Sequence, residues 1–128
     1  LSYNWKIKMN ETGKIPAFAN VVPELNHNEM TGFDIIEKTK MLSEKFHFLF
    51  LRDSADGEKI EKRMDVLLKL YRDRGFPVEE IELSDSDPYL KIFSSLVLAD
   101  WVSLFLGESY GAETEAVPMV EEFKKLIG

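Results

Sequence analysis

Phe46-His47-Phe48-Leu49-Phe50-Leu51 is the stretch that decides the fold. It is a continuous apolar run broken by one histidine, and its length and aromatic content favour a buried strand. Arg52-Asp53-Ser54-Ala55-Asp56-Gly57 follows as a polar loop at the strand's carboxyl end, with Ser54 or Asp56 in position to cap a helix. From about Glu58 to Arg74, Ile60, Met64, Leu67, Leu68 and Tyr71 recur at helical spacing. Glu58, Glu61, Lys62 and Lys69 fall on the wet face of that helix. Gly75 ends it and Pro77 confirms the stop. Val78-Glu79-Glu80-Ile81-Glu82-Leu83 then alternates as a strand with one solvated face, as an edge strand does. A strand, a helix and a second strand of these lengths make a right-handed crossover between parallel strands, which is half of a doubly wound sheet. Ligands of open α/β sheets bind at the carboxyl ends of the strands.

Downstream, Ser84-Asp85-Ser86-Asp87-Pro88 reads as a loop, with Asp87 as N-cap and Pro88 at the first helical position. Residues 88–107 form the most hydrophobic helix, apolar almost all round, which predicts burial on more than one side. Asp100 interrupts it, and belongs to a polar stripe with Ser94, Ser95 and Ser103 that meets backbone or water. The last helix spans Val117 to Ile127, with Val120, Phe123 and Ile127 on one face and Lys124-Lys125 near its carboxyl end. Upstream, residues 3–22 read as helical with an interruption at Gly13 and Pro16, and residues 34–45 as a short helix or loop.

Between these parts lies Pro23-Glu24-Leu25-Asn26-His27-Asn28-Glu29-Met30-Thr31-Gly32. Two carboxylates, three amide or imidazole groups and a glycine crowd between the apolar Val21-Val22 and Phe33. The plain reading is a turn whose Asn and Glu side chains cap neighbouring elements. The other is a functional loop held on a rigid scaffold.

This segment resembles the signature of the bifunctional phosphoglucose/phosphomannose isomerases, a family of the sugar isomerase (SIS) fold. Their second SIS domain carries Asn-Glu-Asn-x-Lys, a short helix, then Pro-Glu-Leu-Asn-His-Asn-Glu and a glycine. Here these are Asn10-Glu11-Thr12-Gly13-Lys14 and Pro23 to Gly32, with Thr12 and Gly13 departing mildly from the pattern. Gly111, Val117, Val120, Phe123 and Lys124 agree with the end of the family's chains, so the likeness runs from about Trp5 to Lys124. It implies an α/β, partial SIS (flavodoxin-like) three-layer fold with a short parallel sheet flanked by helices. A full SIS domain has about five strands, and the family carries a first SIS domain with Ser/Thr-rich phosphate loops. No such cluster occurs here. Residues 1–128 are therefore expected to be the C-terminal SIS-type domain of a longer two-domain chain, inactive alone. Phe46–Leu51 and the 88–107 helix are expected to keep apolar surface for another chain.

The reaction so implied interconverts glucose 6-phosphate, and mannose 6-phosphate, with fructose 6-phosphate. It moves a proton between C1 and C2 of the open-chain sugar and needs a carbon base, a ring-opening acid/base and groups that stabilise an enediolate. By resemblance Glu11 is the proton-transferring base. His27 is the ring-opening group, given to a neighbouring subunit's site in a homodimer. Lys124 lies near the substrate oxygens, with Lys125 as the competing lysine. Read from the residues alone, Glu11 is a solvated helix residue paired with Lys14, His27 a cap or core histidine, and Lys124 a surface charge. Glu24 and Glu29 shape the loop, and His47 is structural. His27 with Glu24 and Glu29 has no established metal spacing, and the isomerisation needs neither metal nor cofactor.

Composition sets outer bounds. A chain of 128 residues, 45% hydrophobic, has the material for one core. A net charge of −7 argues against nucleic-acid or anionic-membrane partners, while leaving room for a small anionic substrate beside local cations. The absence of cysteine fits a reducing cytoplasm. No uninterrupted apolar run reaches membrane-spanning length, since Asp100 breaks the longest, and no signal peptide opens the chain. Opening on Leu1 fits trimming or upstream sequence. Two further readings stay open: a non-catalytic SIS-type module that binds a sugar phosphate, and a pure dimerisation domain.

Overall fold

Two parallel strands and the helix between them form the heart of one unit. In the computed structural model, which describes residues 1–128, β1 (Phe48–Asp53) pairs with β2 (Val78–Leu83) in register from Phe48 opposite Val78 to Asp53 opposite Leu83. The crossover between them contains α3 (Glu58–Asp73). Ahead of these lie α1 (Ser2–Glu11), two 3-10 turns (Glu24–Asn26 and Glu29–Phe33) and the single turn α2 (Lys40–Ser43). After them come α4 (Pro88–Ser109) and α5 (Pro118–Ile127). The fold is α/β, a short two-stranded parallel sheet flanked by helices, as expected. Asn20–Asp87 forms one compact unit, and Leu1–Ala19 with Pro88–Gly128 the other.

In the Asn20–Asp87 unit, Phe50, Met64, Leu67, Leu68, Tyr71, Phe76 and Val78 close a core against α3. Phe33 enters it from the second 3-10 turn, edge-on to Phe46 at 5.2 Å and to Phe48 at 4.8 Å between ring centroids. Edge-to-face pairs of this kind add stability beyond the area they bury. Leu25 and Met30 pack on the same core, so the polar 24–33 loop is pinned by three apolar side chains. The α3 stripe behaves as its spacing predicts, and Leu67 is 1% exposed. Gly75, at φ +82°, ends α3: the Phe76 N–H reaches the Tyr71 carbonyl and the Gly75 N–H that of Arg72. That is the left-handed stop for which glycine is suited.

β1 lies two residues later than expected. The Phe46 N–H closes the α2 turn on Ser43, and Phe48 makes the first link, to the Pro77 carbonyl. Pairing with β2, not hydrophobicity, sets where the strand begins, and it draws Arg52 and Asp53 into the ladder. His47 is exposed just before the strand rather than inside it. Arg52 bridges Asp65 of α3 at 2.7 Å and Glu80 of β2 at 2.9 Å, which raises its pKa. The hydrogen bond to Glu80 is the larger cause, then that to Asp65. Neither Ser54 nor Asp56 caps α3. Gly57 is the N-cap residue, while Asp53 uses its carboxylate on the Ala55 N–H and Ser54 reaches the Leu83 carbonyl.

The other unit is built differently. Trp5 and Met9 of α1 meet a stripe of small residues on α4, namely Ser95, Ala99, Ser103 and Gly107, all buried. The Trp5 indole N–H donates to Ser95 Oγ at 3.0 Å. Expected burial of α4 on several sides is not found. Its small side chains face inward, with Ala99 and Ser103 at 0% exposed, while Trp101 and Phe105 stack on each other at 53% and 60% exposed. Leu90, Phe93 and Val97 are also exposed. Asp100 is no break either: it pairs with Lys8 at 2.6 Å and the helix runs on to Ser109. α4 is 22 residues long and an 18-residue window within it has a mean hydropathy of 1.6, which meets the length and composition of a membrane-crossing helix and corrects the expectation drawn from Asp100. One ion-paired carboxylate interrupts an apolar run without ending a helix.

Residues 12–22 hold no second helix. Lys14 takes a left-handed φ of 58°, and the Asn10 carboxamide accepts from the Ala17 N–H at 2.8 Å and donates to the Ala17 carbonyl. Side-chain to backbone bonds of this kind compete with helix formation.

Candidate functional site

Glu11 is the last residue of α1, and its side chain is exposed. The chain then enters a tightly held turn. The Thr12 and Gly13 N–H groups both return to the Lys8 carbonyl, and the Ile15 N–H to that of Met9. A Cβ on Gly13 would lie 2.8 Å from the Met9 carbonyl oxygen, so no larger residue fits there without a shift. From the opposite side Gly107 of α4 presses on the same turn, where an added Cβ would come within 2.6 Å of the Thr12 oxygen. Lys14 does not pair with Glu11. Its Nζ donates to the Ala116 carbonyl, tying the turn to the segment that leads into α5. Glu11 is thus a free carboxylate on a backbone fixed from three directions.

His27 closes the first 3-10 turn, its N–H on the Glu24 carbonyl. Its neighbours are engaged with one another. Asn28 donates to Glu24 at 3.0 Å and accepts from the Glu29 N–H at 2.6 Å, and Asn20 donates to the Glu29 carboxylate. Glu24 and Glu29 therefore shape the loop, as the plain reading of each had it. The His27 ring is exposed and takes no part in these bonds. A loop whose amides and carboxylates satisfy each other, leaving one imidazole open to solvent, is suited to present that imidazole to another molecule.

Lys124 stands on α5 and pairs with Glu121 at 2.8 Å, an exposed pair three residues apart. Such a pair contributes little to stability. Lys125 is exposed as well. Glu11 and Lys124 belong to one compact unit and His27 to the other, and no hydrogen bond joins Glu11 to Lys124. Two features escaped the sequence. The Lys8–Asp100 pair, one turn before Glu11, joins α1 to α4 across a long sequence separation. Lys59, Lys62 and Arg63 line a cavity beside Asn26. Only their spacing of three and four residues on one helix face gave a signal.

A strand–helix–strand crossover closing a short parallel sheet makes this an α/β domain. The chain belongs to the bacterial phospho-glucose isomerase C-terminal SIS domain family, whose model matches residues 1–127. It is 36% identical over 127 residues to a bifunctional phosphoglucose/phosphomannose isomerase of Aquifex aeolicus, covering 98% of this chain and 38% of that protein. The proteins of the same description in Thermoplasma acidophilum and Caldicellulosiruptor bescii are 33% and 31% identical, over 99% of this chain and 38% and 37% of theirs. The chain thus spans under two-fifths of the length of these relatives. No solved structure matches it.

Proposed function

We propose that this chain is the C-terminal SIS half of an aldose–ketose isomerase that interconverts glucose 6-phosphate, and mannose 6-phosphate, with fructose 6-phosphate. Glu11 takes the proton from C2 of the open-chain aldose and returns it at C1, through an enediolate. His27 opens the sugar ring, and Lys124 lies by the substrate oxygens. The observation that carries the reading is the Glu11 turn, in which an exposed carboxylate follows a helix end locked by Gly13, Gly107 and Lys14. A base that moves a carbon-bound proton gains from such fixed geometry. The phosphate is held by the other half of the enzyme, so the 128-residue chain alone has no turnover.

The reading includes a homodimer in which His27 serves the neighbouring site. Its support is the row of large apolar side chains that α4 turns to solvent, together with the amphipathic α5, whose Val120 and Phe123 are uncovered. Contiguous exposed apolar side chains of this kind favour association. On this reading α4 is an interface helix in a cytoplasmic enzyme and spans no membrane.

The test is Glu11→Gln in the full-length enzyme. The expected loss is about 10²- to 10⁴-fold in kcat, the range for a general base, with KM little changed. Exchange of the C2 proton with solvent deuterium should fall in step. A variant that exchanges at the wild-type rate would remove Glu11 from the reaction.

A further inference from the structure

Lys14 is the one non-glycine residue of the chain with a left-handed backbone, at φ 58°. A side chain costs free energy in that conformation, and glycine takes it freely. What a lysine offers there and a glycine does not is an ammonium, which donates to the Ala116 carbonyl across 102 residues of sequence. A hydrogen bond from a charged donor is stronger than a neutral one. Lys14 is half-buried, so the bond is partly shielded from water and salt. Backbone held in a sparsely populated conformation is a feature of functional sites.

The two ends of this bond lead to two different groups. Lys14 lies in the turn that Glu11 opens, whose N–H groups return to the Lys8 and Met9 carbonyls. Ala116 directly precedes Val117, the N-cap residue of α5, whose carbonyl accepts from the Val120 and Glu121 N–H groups. Lys124 follows about two helical turns further on. Every residue of α5 is exposed, so no core within this chain sets its direction. Two contacts bring the lead-in of α5 to the Glu11 turn. Thr12 and Thr114 both close on Gly107, where an added Cβ would strike each of them, and Ala116 takes the Lys14 ammonium. The first is packing. The second is a directed hydrogen bond, and it sits next to the start of the helix.

We propose that Lys14 is a positioning residue for the isomerase reaction: its ammonium clasps α5 to the Glu11 turn and so sets the base and Lys124 in one arrangement. This rests on Glu11 as the base and Lys124 as the group at the substrate oxygens. Lys14 itself acts through the Ala116 carbonyl and touches no substrate. A base and a cation held in a single geometry need no reordering as charge develops on the enediolate.

The experiment compares Lys14→Met, Lys14→Arg and Glu11→Gln in the full-length enzyme. Methionine keeps the length of lysine without the donor, and arginine keeps a charged donor. Lys14→Met retains the Lys8, Met9 and Asn10–Ala17 hydrogen bonds of the turn, so the fold stands. Its kcat should fall by about ten- to a hundred-fold with KM little changed. Lys14→Arg should recover most of that loss. Hydrogen–deuterium exchange, read without turnover, should rise across residues 112–124 in Lys14→Met and return towards the parent rate in Lys14→Arg. A residue that served only the fold would lower the melting temperature and leave kcat intact well below it, and that result overturns the proposal. Unchanged exchange across residues 112–124 in Lys14→Met overturns it too, as does a Lys14→Arg enzyme no faster than Lys14→Met. A parent-like kcat in Glu11→Gln sinks the assignment of the base, and the proposal falls with it. A slow Glu11→Gln beside an unimpaired Lys14→Met sinks the proposal alone.

Discussion

The two units bury side chains in opposite ways. In Asn20–Asp87 the largest residues point inward: Phe33 meets Phe48, Tyr71 and Phe76 edge to face, Leu67 belongs to the same cluster, and the unit completes its own core. In the α1–α4–α5 unit the smallest residues point inward, and Trp101, Phe105 and Phe93 point out. Burial depends on what a face meets, not on how apolar it is. A self-sufficient core and an uncovered apolar face use the same residue types in reversed positions.

That contrast is open to mutation, starting with the largest expected effect. Leu67→Ala should destabilise the chain by about 2–5 kcal/mol, the range for a buried leucine that leaves a cavity, as read by urea unfolding. A loss under about 1 kcal/mol would deny that the unit closes on its own core. Gly107→Val comes next. Its side chain meets the Thr12 carbonyl and the Thr114 methyl, so we expect a cost of about 1–3 kcal/mol, with lower kcat in the full-length enzyme because the Glu11 turn moves. Unchanged stability and kcat would show that α4 does not seat that turn.

Trp101→Ser sharpens the comparison from the other side. The stability of the isolated chain should change by about 0.5 kcal/mol or less, as for an exposed site, while light scattering of the full-length enzyme should show a loss of association. A stability loss as large as that of Leu67→Ala would put Trp101 in a core.

The last effect, confined to high pH, concerns Tyr71. Burial, and then the nearby Glu29 charge, push its pKa up to about 12 from an ordinary value of 10.0. The folded chain thus keeps a proton that the unfolded chain releases first. The stabilisation is complete below pH 10 and is lost as pH rises through about 12. Absorbance titration should find one late-ionising tyrosine, and Tyr71→Phe should abolish that step. Ionisation of Tyr71 near pH 10 would show a wetter core than this one.

What was legible in the sequence was local. The α3 stripe, its stop at Gly75 and the limits of β2 come from spacing and turn chemistry between near neighbours. Three misreadings share a cause in distant contacts. The start of β1 depends on Pro77, the irregular course after α1 on Asn10 reaching Ala17, and the inward face of α4 on Trp5. A hydropathy pattern shows that a helix is apolar, not that its serines and alanine are the side that packs. Glu11 and His27 stood out through a motif alone, since both are exposed and neither leaves a periodic trace. The cavity beside Lys59, Lys62 and Arg63 needed the 24–33 loop to lie over α3, which no local signal records.

The central claim, that each site joins the carboxylate of one copy to the imidazole of another, has a direct measurement. Full-length Glu11→Gln and His27→Ala enzymes, each expected to keep at most a small residual activity, are unfolded, mixed in equal amounts and refolded together. Random pairing makes mixed dimers with one intact site, and isomerase activity should return to about a quarter of the wild-type rate. A mixture no more active than its components would place both groups in the same copy and contradict the account.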